Sequence, residues 1–345
     1  WSSDVCSSDL FTWVNRSKES LTLDLKQDAA LSILKKLLET ADVFVQNLAP
    51  GAAARMGLSP DTLQAINPKL IYCNLSGYGE DGPYRDKKAY DLLIQSEAGL
   101  LSITGTPEVP SKVGISIADI AAGMYTYTNI LAALLQRQKT GKGSVIDISM
   151  LEALGEWMGY PMYYSMDGAP PPPRTGAAHA TIFPYGPYQA GDGKTVMLGL
   201  QNEREWALFC EKVLNQPELA NDPRFDKNFK RNENRTELTQ IILKIFSTLT
   251  SEQVIAKLDE AQIANASLND MHQFWAHPQL KARGRWASVD SPKGQISALL
   301  PPGVNNSYQY RMDKIPGIGE HTRTILNELG YSDEAIKALE QQAAI

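Results

Sequence analysis

Residues 25–150 switch repeatedly between two hydrophobic periods, and that alternation restricts the possible folds more than any other feature. In LKQDAALSILKKLLETA (25–41), Ala30, Leu31, Ile33, Leu34, Leu37 and Leu38 fall on one helical face. DVFVQNL (42–48) then reads as a strand. SPDTLQAIN follows, with Ser at an N-cap position and Pro at the first helical position. LIYCNLSGYG (70–79) reads as a buried strand, DIAAGMYTYTNILAALLQRQ (119–138) as a helix closed by KTGKG, and SVIDISM (144–150) as a third strand. Strands separated by helices predict a parallel sheet covered on both faces. Ligands in such sheets bind beyond the carboxyl ends of strands, where Asn47 and Asn74 fall.

Beyond residue 165 the pattern changes. DGAPPPPRTGAAHA (167–180) holds four consecutive prolines, which favour extended polyproline geometry, and reads as a semi-rigid linker. TVMLGLQ reads as a strand, and NEREWALFCEKVL, TELTQIILKIFSTL and SEQVIAKLDEAQI as helices. The last has only a partial capping box, because Val254 occupies the position three after Ser251. LLPPGVNN is a second irregular stretch before a final helix near GEHTRTILNELG. The expected division is a large domain over 11–165, a linker over 166–185, a small α+β domain over 186–292, and a linker and return to the large domain over 293–345.

The opening WSSDVCSSDL reads as neither helix nor strand, since Ser and Asp favour caps and turns and nothing alternates. It also lacks the basic start and apolar stretch of a signal peptide. A common sequencing-adapter sequence can encode these residues. Residues 1–10 are therefore expected to be translated adapter, with a genuine tail as the alternative. The true start, including a first strand–helix unit, is then expected to be missing.

The formal net charge of −6, milder once Asp4 and Asp9 are set aside, leaves no electrostatic footprint for nucleic acid. Cys73 and Cys210 are far apart and unpatterned, which points to a reducing, cytoplasmic setting and against a disulfide framework. No run of 18 apolar residues is present to span a membrane. GDGKT and TGKGS fail the phosphate-loop spacing, because Tyr188 and Gln138 stand where glycine is required, and GDGKT reads as a hairpin turn. His179, His272, His277 and His321 fit no metal-ligand spacing, and no G-x-S-x-G elbow occurs. No metal and no bound cofactor are expected.

The feature that these exclusions leave is SIADIAAGMYTY. Asp119 opens an amphipathic helix among Ala118, Ala121, Ala122 and Gly123. An N-cap explains an Asp there. Small neighbours also let a bulky ligand approach, and a helix N-terminus stabilises negative charge. NLAPGAAARMGLSP places Arg55 on a helix after a strand end, and DKKAYDLLIQSEAG carries Lys88, Tyr90 and Asp91.

Taken in order, NRSKESLTLDL, FVQNLAPGAAARMGL, NPKLIYCNLSGYGEDGPY, KAYDLLIQSEAG, VGISIADIAAGMY and RQKTGKGSVIDISMLEAL resemble the class III CoA-transferases (CaiB/BaiF) over nearly the whole chain from Phe11. The resemblance implies an α/β fold: a Rossmann-like, doubly wound parallel sheet plus a smaller α+β domain, in an interlocked homodimer. It implies Asp119 as nucleophile and coenzyme A as a substrate carrier. Asn47, Leu48, Arg55 and Met56 would line the CoA site, and Lys88 and Tyr90 would flank CoA and the acyl group. Asn15, Arg16 and Lys18 fall where the family approaches CoA phosphates, although Arg16 and Lys18 also read as solvated charges. Asp91, Gly176 and His179 are expected on the substrate side.

TGAAH stands where the family often has a glycine run, so His179 either contacts an acidic substrate or is an exposed linker residue. The related racemases carry His where this chain has Tyr90, a poor base near neutrality. The tracts WMGYPMYYSMDGAPPPPRTGAAHATIFPYGPY and LGLQNEREW look most like the dicarboxylate branch, with succinyl-CoA as donor and itaconate, mesaconate or malate as acceptor. The expected partners are thus an acyl-CoA and a small carboxylic acid. A racemase-type isomerase and a non-catalytic CoA-binding protein are the alternatives.

Overall fold

A computed structural model describes the backbone of residues 5–345 and the side chains from Leu10 onward. Expectations for residues 1–4 lie outside the described residues. The chain divides into two compact units. The first comprises the described residues up to Leu75, with Tyr127–Asp147 and Met271–Ile345; the second comprises Ser76–Thr126 and Ile148–Asp270. The strands β1 (Val43–Gln46), β2 (Ile71–Ser76) and β3 (Val145–Ser149) form one sheet in that order. A second sheet holds β4 (Tyr185–Gln189), β5 (Thr195–Gly199) and β6 (Ala264–Ser267). The strands β7 (Trp286–Ser291) and β8 (Gly294–Leu299) pair as an antiparallel hairpin.

In the first unit β1 and β2 run parallel, with Val43 opposite Ile71 and Gln46 opposite Asn74. This is the mixed α/β arrangement that the alternating periods predict. Helix Asp28–Leu38 precedes β1, and helix Pro60–Ile66 joins β1 to β2. Leu38, Ala53, Leu58 and Leu63 bury against Leu70 and Tyr72. Ser59 caps the second helix by accepting the Thr62 N–H at 3.3 Å, as Ser-Pro predicts. Asn67 then pins the loop, donating to the carbonyls of Leu38 at 3.1 Å and Ala41 at 2.9 Å. The other face of helix Asp28–Leu38 contributes Ile33 to a cluster with Leu326, Ile336 and Leu339. Ile336 and Leu339 belong to helix Asp333–Gln341, an element beyond the final helix expected from the sequence.

The opening segment departs from expectation, because a helix covers Val5–Val14. Phe11 packs against a cluster of Val289, Ala298 and Ile315, so tertiary contact of the apolar end outweighs the weak propensity of Ser and Asp. The turn of the β7–β8 hairpin falls at residues 292–293, the expected edge of the small domain.

In the second unit GDGKT does form a hairpin turn, closed by the Ala190 N–H donating to the Lys194 carbonyl at 2.9 Å. Tyr188, Val196 and Leu198 from this sheet meet Trp206, Phe209, Phe225, Ile242 and Phe246 in one core. Helix Ser251–Glu260 has a complete capping box, one residue earlier than the sequence reading placed it. Thr250 accepts the Gln253 N–H at 3.2 Å and Gln253 accepts the Thr250 N–H at 2.8 Å. A separate cluster of Ile94, Ala118 and Leu154 anchors the start of the long helix Ile117–Thr140.

Candidate active site

The long helix begins two residues before the expected start, which puts Asp119 inside its first turn and not at the N-cap. Ala118, Ala121 and Ala122 are wholly buried, so the helix is packed on one side while Asp119 faces out on the other. The cap comes from elsewhere in the chain. Asp91 accepts the Ala118 N–H at 2.8 Å through Oδ1. Its Oδ2 accepts from Gln95 Nε2 at 2.7 Å. Fully buried Gln95 in turn accepts the Val113 N–H at 3.0 Å. Asp91 and Gln95 are one turn apart on helix Asp91–Glu97, the spacing at which side chains meet.

Two effects raise the Asp119 carboxyl above the usual carboxylate range. Partial desolvation is the larger, and the negative charge of Asp91 adds to it. Among the described residues no hydrogen bond reaches the Asp119 carboxylate. A carboxylate that is more basic than usual, unblunted by donors and open on one side is suited to nucleophilic attack.

Tyr90, which precedes the Asp91–Glu97 helix, is 70% exposed, and Lys88 is exposed too. The adjacent Lys87 is engaged instead: it pairs with Glu97 and lies 4.3 Å over the Tyr84 ring. Gly176 adopts φ +65°, a conformation that favours glycine, and donates its N–H to the Gly105 carbonyl at 2.7 Å. His179 is built into its segment. Its Nδ1 accepts from the N–H groups of Thr181 at 3.2 Å and Ile182 at 3.0 Å, and its ring stacks on Tyr185 at 5.2 Å. Nε2 is the one ring nitrogen these contacts do not use.

In the first unit a polar file crosses the sheet. Gln46 Nε2 donates to Asn74 Oδ1, and Asn74 Nδ2 donates to Asp147 Oδ1 at 3.1 Å. Asn74 is buried within this file, whereas Asn47 and Leu48 lie exposed beyond the end of β1. The Leu48 N–H donates to Gln46 Oε1 at 2.8 Å, which sets the direction of the chain leaving the strand. Gly51, at φ +72°, opens the helix Ala52–Arg55. Arg55 folds back so that a Cβ at Gly51 would stand 3.0 Å from its Nη1. Met56 packs half-buried on the Leu58 cluster.

Asn15 Nδ2 donates to the Phe11 carbonyl at 3.0 Å, closing the end of helix Val5–Val14. Arg16 reaches the Leu299 carbonyl at 3.5 Å, and Lys18 is exposed. None of Arg16, Lys18 and Arg55 has an acidic partner among the described residues, so their charge is available to phosphate.

Gln46, Asp147 and Gln95 were not singled out from the sequence. Gln95 carried a signal, its position four residues after Asp91; Gln46 and Asp147 are joined only by strand register. Among the described residues no group of three His, Cys, Asp or Glu side chains could hold a metal ion, and no helix is long and apolar enough to cross a membrane.

Residues 3–322 match the family described as CoA-transferase family III. The chain is 33% identical to human succinyl-CoA:glutarate CoA-transferase over 339 residues, which cover 96% of this chain and 76% of that protein. It is 32% identical to the succinate–glutarate CoA-transferase of Agrobacterium fabrum, covering 91% of this chain and 79% of the relative. Among solved structures, a CAIB/BAIF family protein from Brucella suis superposes with a TM-score of 0.82 at 32% identity, covering 93% of this chain and 84% of that one.

Proposed function

The chain belongs to CoA-transferase family III, and from that membership we propose that it moves CoA from succinyl-CoA to a small dicarboxylic acid through covalent intermediates on Asp119. That it is an enzyme transferring CoA follows from the family. The observation that carries the finer reading is the setting of Asp119: first turn of a helix, partly desolvated, beside the fixed charge of Asp91, and without a donor of its own.

In the first step the Asp119 carboxylate attacks the thioester carbonyl of the donor. A C–O bond forms, the C–S bond breaks, and CoA leaves as thiolate from a mixed anhydride. The thiolate then attacks the aspartyl carbonyl, releasing the donor acid and leaving an aspartyl-CoA thioester. The acceptor carboxylate attacks this thioester, giving a second anhydride and thiolate. Thiolate attack on the acceptor carbonyl yields the new acyl-CoA and restores Asp119. Splitting the exchange in this way replaces one difficult transfer by easier covalent steps, provided that water is kept out.

Asn47, Leu48, Arg55 and Met56 are assigned to CoA, with Asn15, Arg16, Lys18 and Lys88 near its phosphates or chain. Tyr90, Gly176 and His179 are assigned to the substrate side. Asp91, with both oxygens engaged, is assigned to holding the start of the nucleophile's helix and tuning Asp119. The dicarboxylate acceptor is supported by relatives whose names pair succinyl-CoA or succinate with glutarate. A doubly wound sheet in an interlocked homodimer belongs to the same reading. Met124, Tyr127, Leu131 and Leu135 support it, because they share one face of helix Ile117–Thr140 and lie open.

The test is a coupled assay with succinyl-CoA against glutarate, itaconate, mesaconate, malate, oxalate and monocarboxylates of matched length. Turnover is expected, fastest with a dicarboxylate. No transfer to any acid, or rapid exchange of the α-proton of a 2-methylacyl-CoA with deuterated water, would overturn the reading.

A further inference from the structure

In the second unit a cavity of about 710 Å³ is lined by the polyproline stretch 171–173 together with Ser102, Asn232 and two arginines, Arg174 and Arg235. It is a wide cleft, open to solvent along much of its surface. Both arginine residues are half-buried. Arg174 spreads its fork over main-chain carbonyls: Nε to Thr106 at 2.9 Å, Nη1 to Ser102 at 3.3 Å and Nη2 to Pro107 at 2.9 Å. Each Nη keeps a further N–H, since a guanidinium has five donors. Arg235 uses only Nη2, donating to the carbonyls of His179 at 3.0 Å and Ala180 at 3.3 Å and to Asn232 Oδ1. Its Nε and Nη1 meet no protein acceptor among the described residues, and the group lies 4.8 Å over the Phe183 ring.

Neither arginine has an acidic partner among the described residues. Neighbouring bases do: Arg224 pairs with Asp222 and Glu237, Lys230 with Asp226, and Arg231 with Glu203. Desolvation lowers the Arg235 pKa, opposed only by Tyr188, as expected where no carboxylate is close. Fully buried charges are ordinarily paired, and half-buried ones gain from a partner in proportion to their desolvation. Two lining cations with donors to spare leave this cavity short of negative charge.

We propose that the Arg174–Arg235 cavity is the subsite for the free carboxylate of a small dicarboxylic acid, which makes these two arginines the residues that set acceptor specificity. The proposal rests on the acceptor reading given above. A guanidinium fork matches a carboxylate in two-point geometry, and the proline wall offers an apolar, rigid surface to a short methylene chain. The loop that carries Thr106 and Pro107, gripped by Arg174, also carries Val113, which bonds the relay of Gln95 and Asp91 beneath the helix of Asp119.

The experiment has two arms. In the first, Arg174→Gln and Arg235→Gln are assayed with succinyl-CoA against glutarate and pentanoate. The preference for glutarate over pentanoate in kcat/KM is expected to fall at least tenfold through KM, with the affinity for free CoA, which carries no acyl carboxylate, within twofold of wild type. An unchanged preference overturns the proposal. In the second, the unaltered protein is labelled with phenylglyoxal and its peptides are read by mass spectrometry, so folding of a variant does not enter. Glutarate at millimolar concentration is expected to protect Arg174 and Arg235, and pentanoate is not. Labelling untouched by glutarate, or blocked by free CoA instead, overturns the subsite. Protection by glutarate in a protein that transfers CoA to no acid would keep the subsite and remove the transferase reading.

Discussion

Asp119 carries a measurable consequence of its setting. Its pKa is raised, first by desolvation and second by Asp91, so the folded protein holds this proton more tightly than the unfolded chain does. Ionising it therefore costs folding free energy. The cost is absent below the unfolded carboxylate pKa and complete above the folded one. Asp119→Asn is expected to raise the melting temperature at neutral pH, with the gain vanishing under acid conditions; an unchanged or lowered melting temperature at neutral pH would contradict the desolvation argument. In the proposed mechanism the ionised form attacks, so the acid limb of kcat/KM should lie above that of an ordinary aspartate, and Asp91→Asn should move it to lower pH. At this scale the sequence sets Asp119 among its small neighbours, because they sit together along the chain. It was silent about the Asp91 cap, which depends on two helices meeting, and about Arg174 and Arg235, which are 61 positions apart and share a cavity only in the fold.

The start of helix Ile117–Thr140 depends on a polar relay through Gln95. Replacing fully buried Gln95 by Leu strands the Val113 N–H and removes a donor from Asp91, at about 2 kcal/mol. Urea unfolding should show that loss, and kcat should fall while the KM for acyl-CoA holds, since the proposed nucleophile is misplaced and the residues assigned to CoA are untouched. A kcat equal to wild type would show that the relay is only structural. Elements with a strong period, such as Asp28–Leu38 and Arg235–Phe246, were legible in the sequence to within a few residues. Those that needed a distant partner were not. Helix Val5–Val14 forms around the packing of Phe11, and the β7–β8 hairpin straddles a position that composition alone suggested as a boundary. The capping box starts at Thr250, one residue before the Ser251 that the sequence favours, because Thr and Ser are similar caps by type and only Gln253 completes the box.

Each unit has its own core, and the second is tied together by a buried cation. Arg231, 2% exposed, donates to Glu203 at 2.7 Å and to the carbonyls of Phe183 and Phe225, both at 2.9 Å, and stacks on Trp206 at 5.0 Å. Arg231→Met orphans two carbonyls and is expected to cost about 3 kcal/mol. Amide exchange should quicken around Trp206, Phe225 and Phe246 while Leu63, Leu70 and Tyr72 keep their protection. Equal quickening in both cores would contradict the separation. The division into two units was only partly legible, since the polyproline tract drew attention to residues 166–185, which lie within the second unit, whereas the first unit gathers three separate stretches of chain. The central claim concerns one atom group, and it is tested most directly by incubating the protein with succinyl-CoA, quenching with hydroxylamine and mapping the product by mass spectrometry. A hydroxamate at Asp119 is expected, absent when succinyl-CoA is withheld and absent from Asp119→Ala, which should bind CoA within a few-fold of wild type. A hydroxamate at any other carboxylate, or full turnover by Asp119→Ala, would contradict the account.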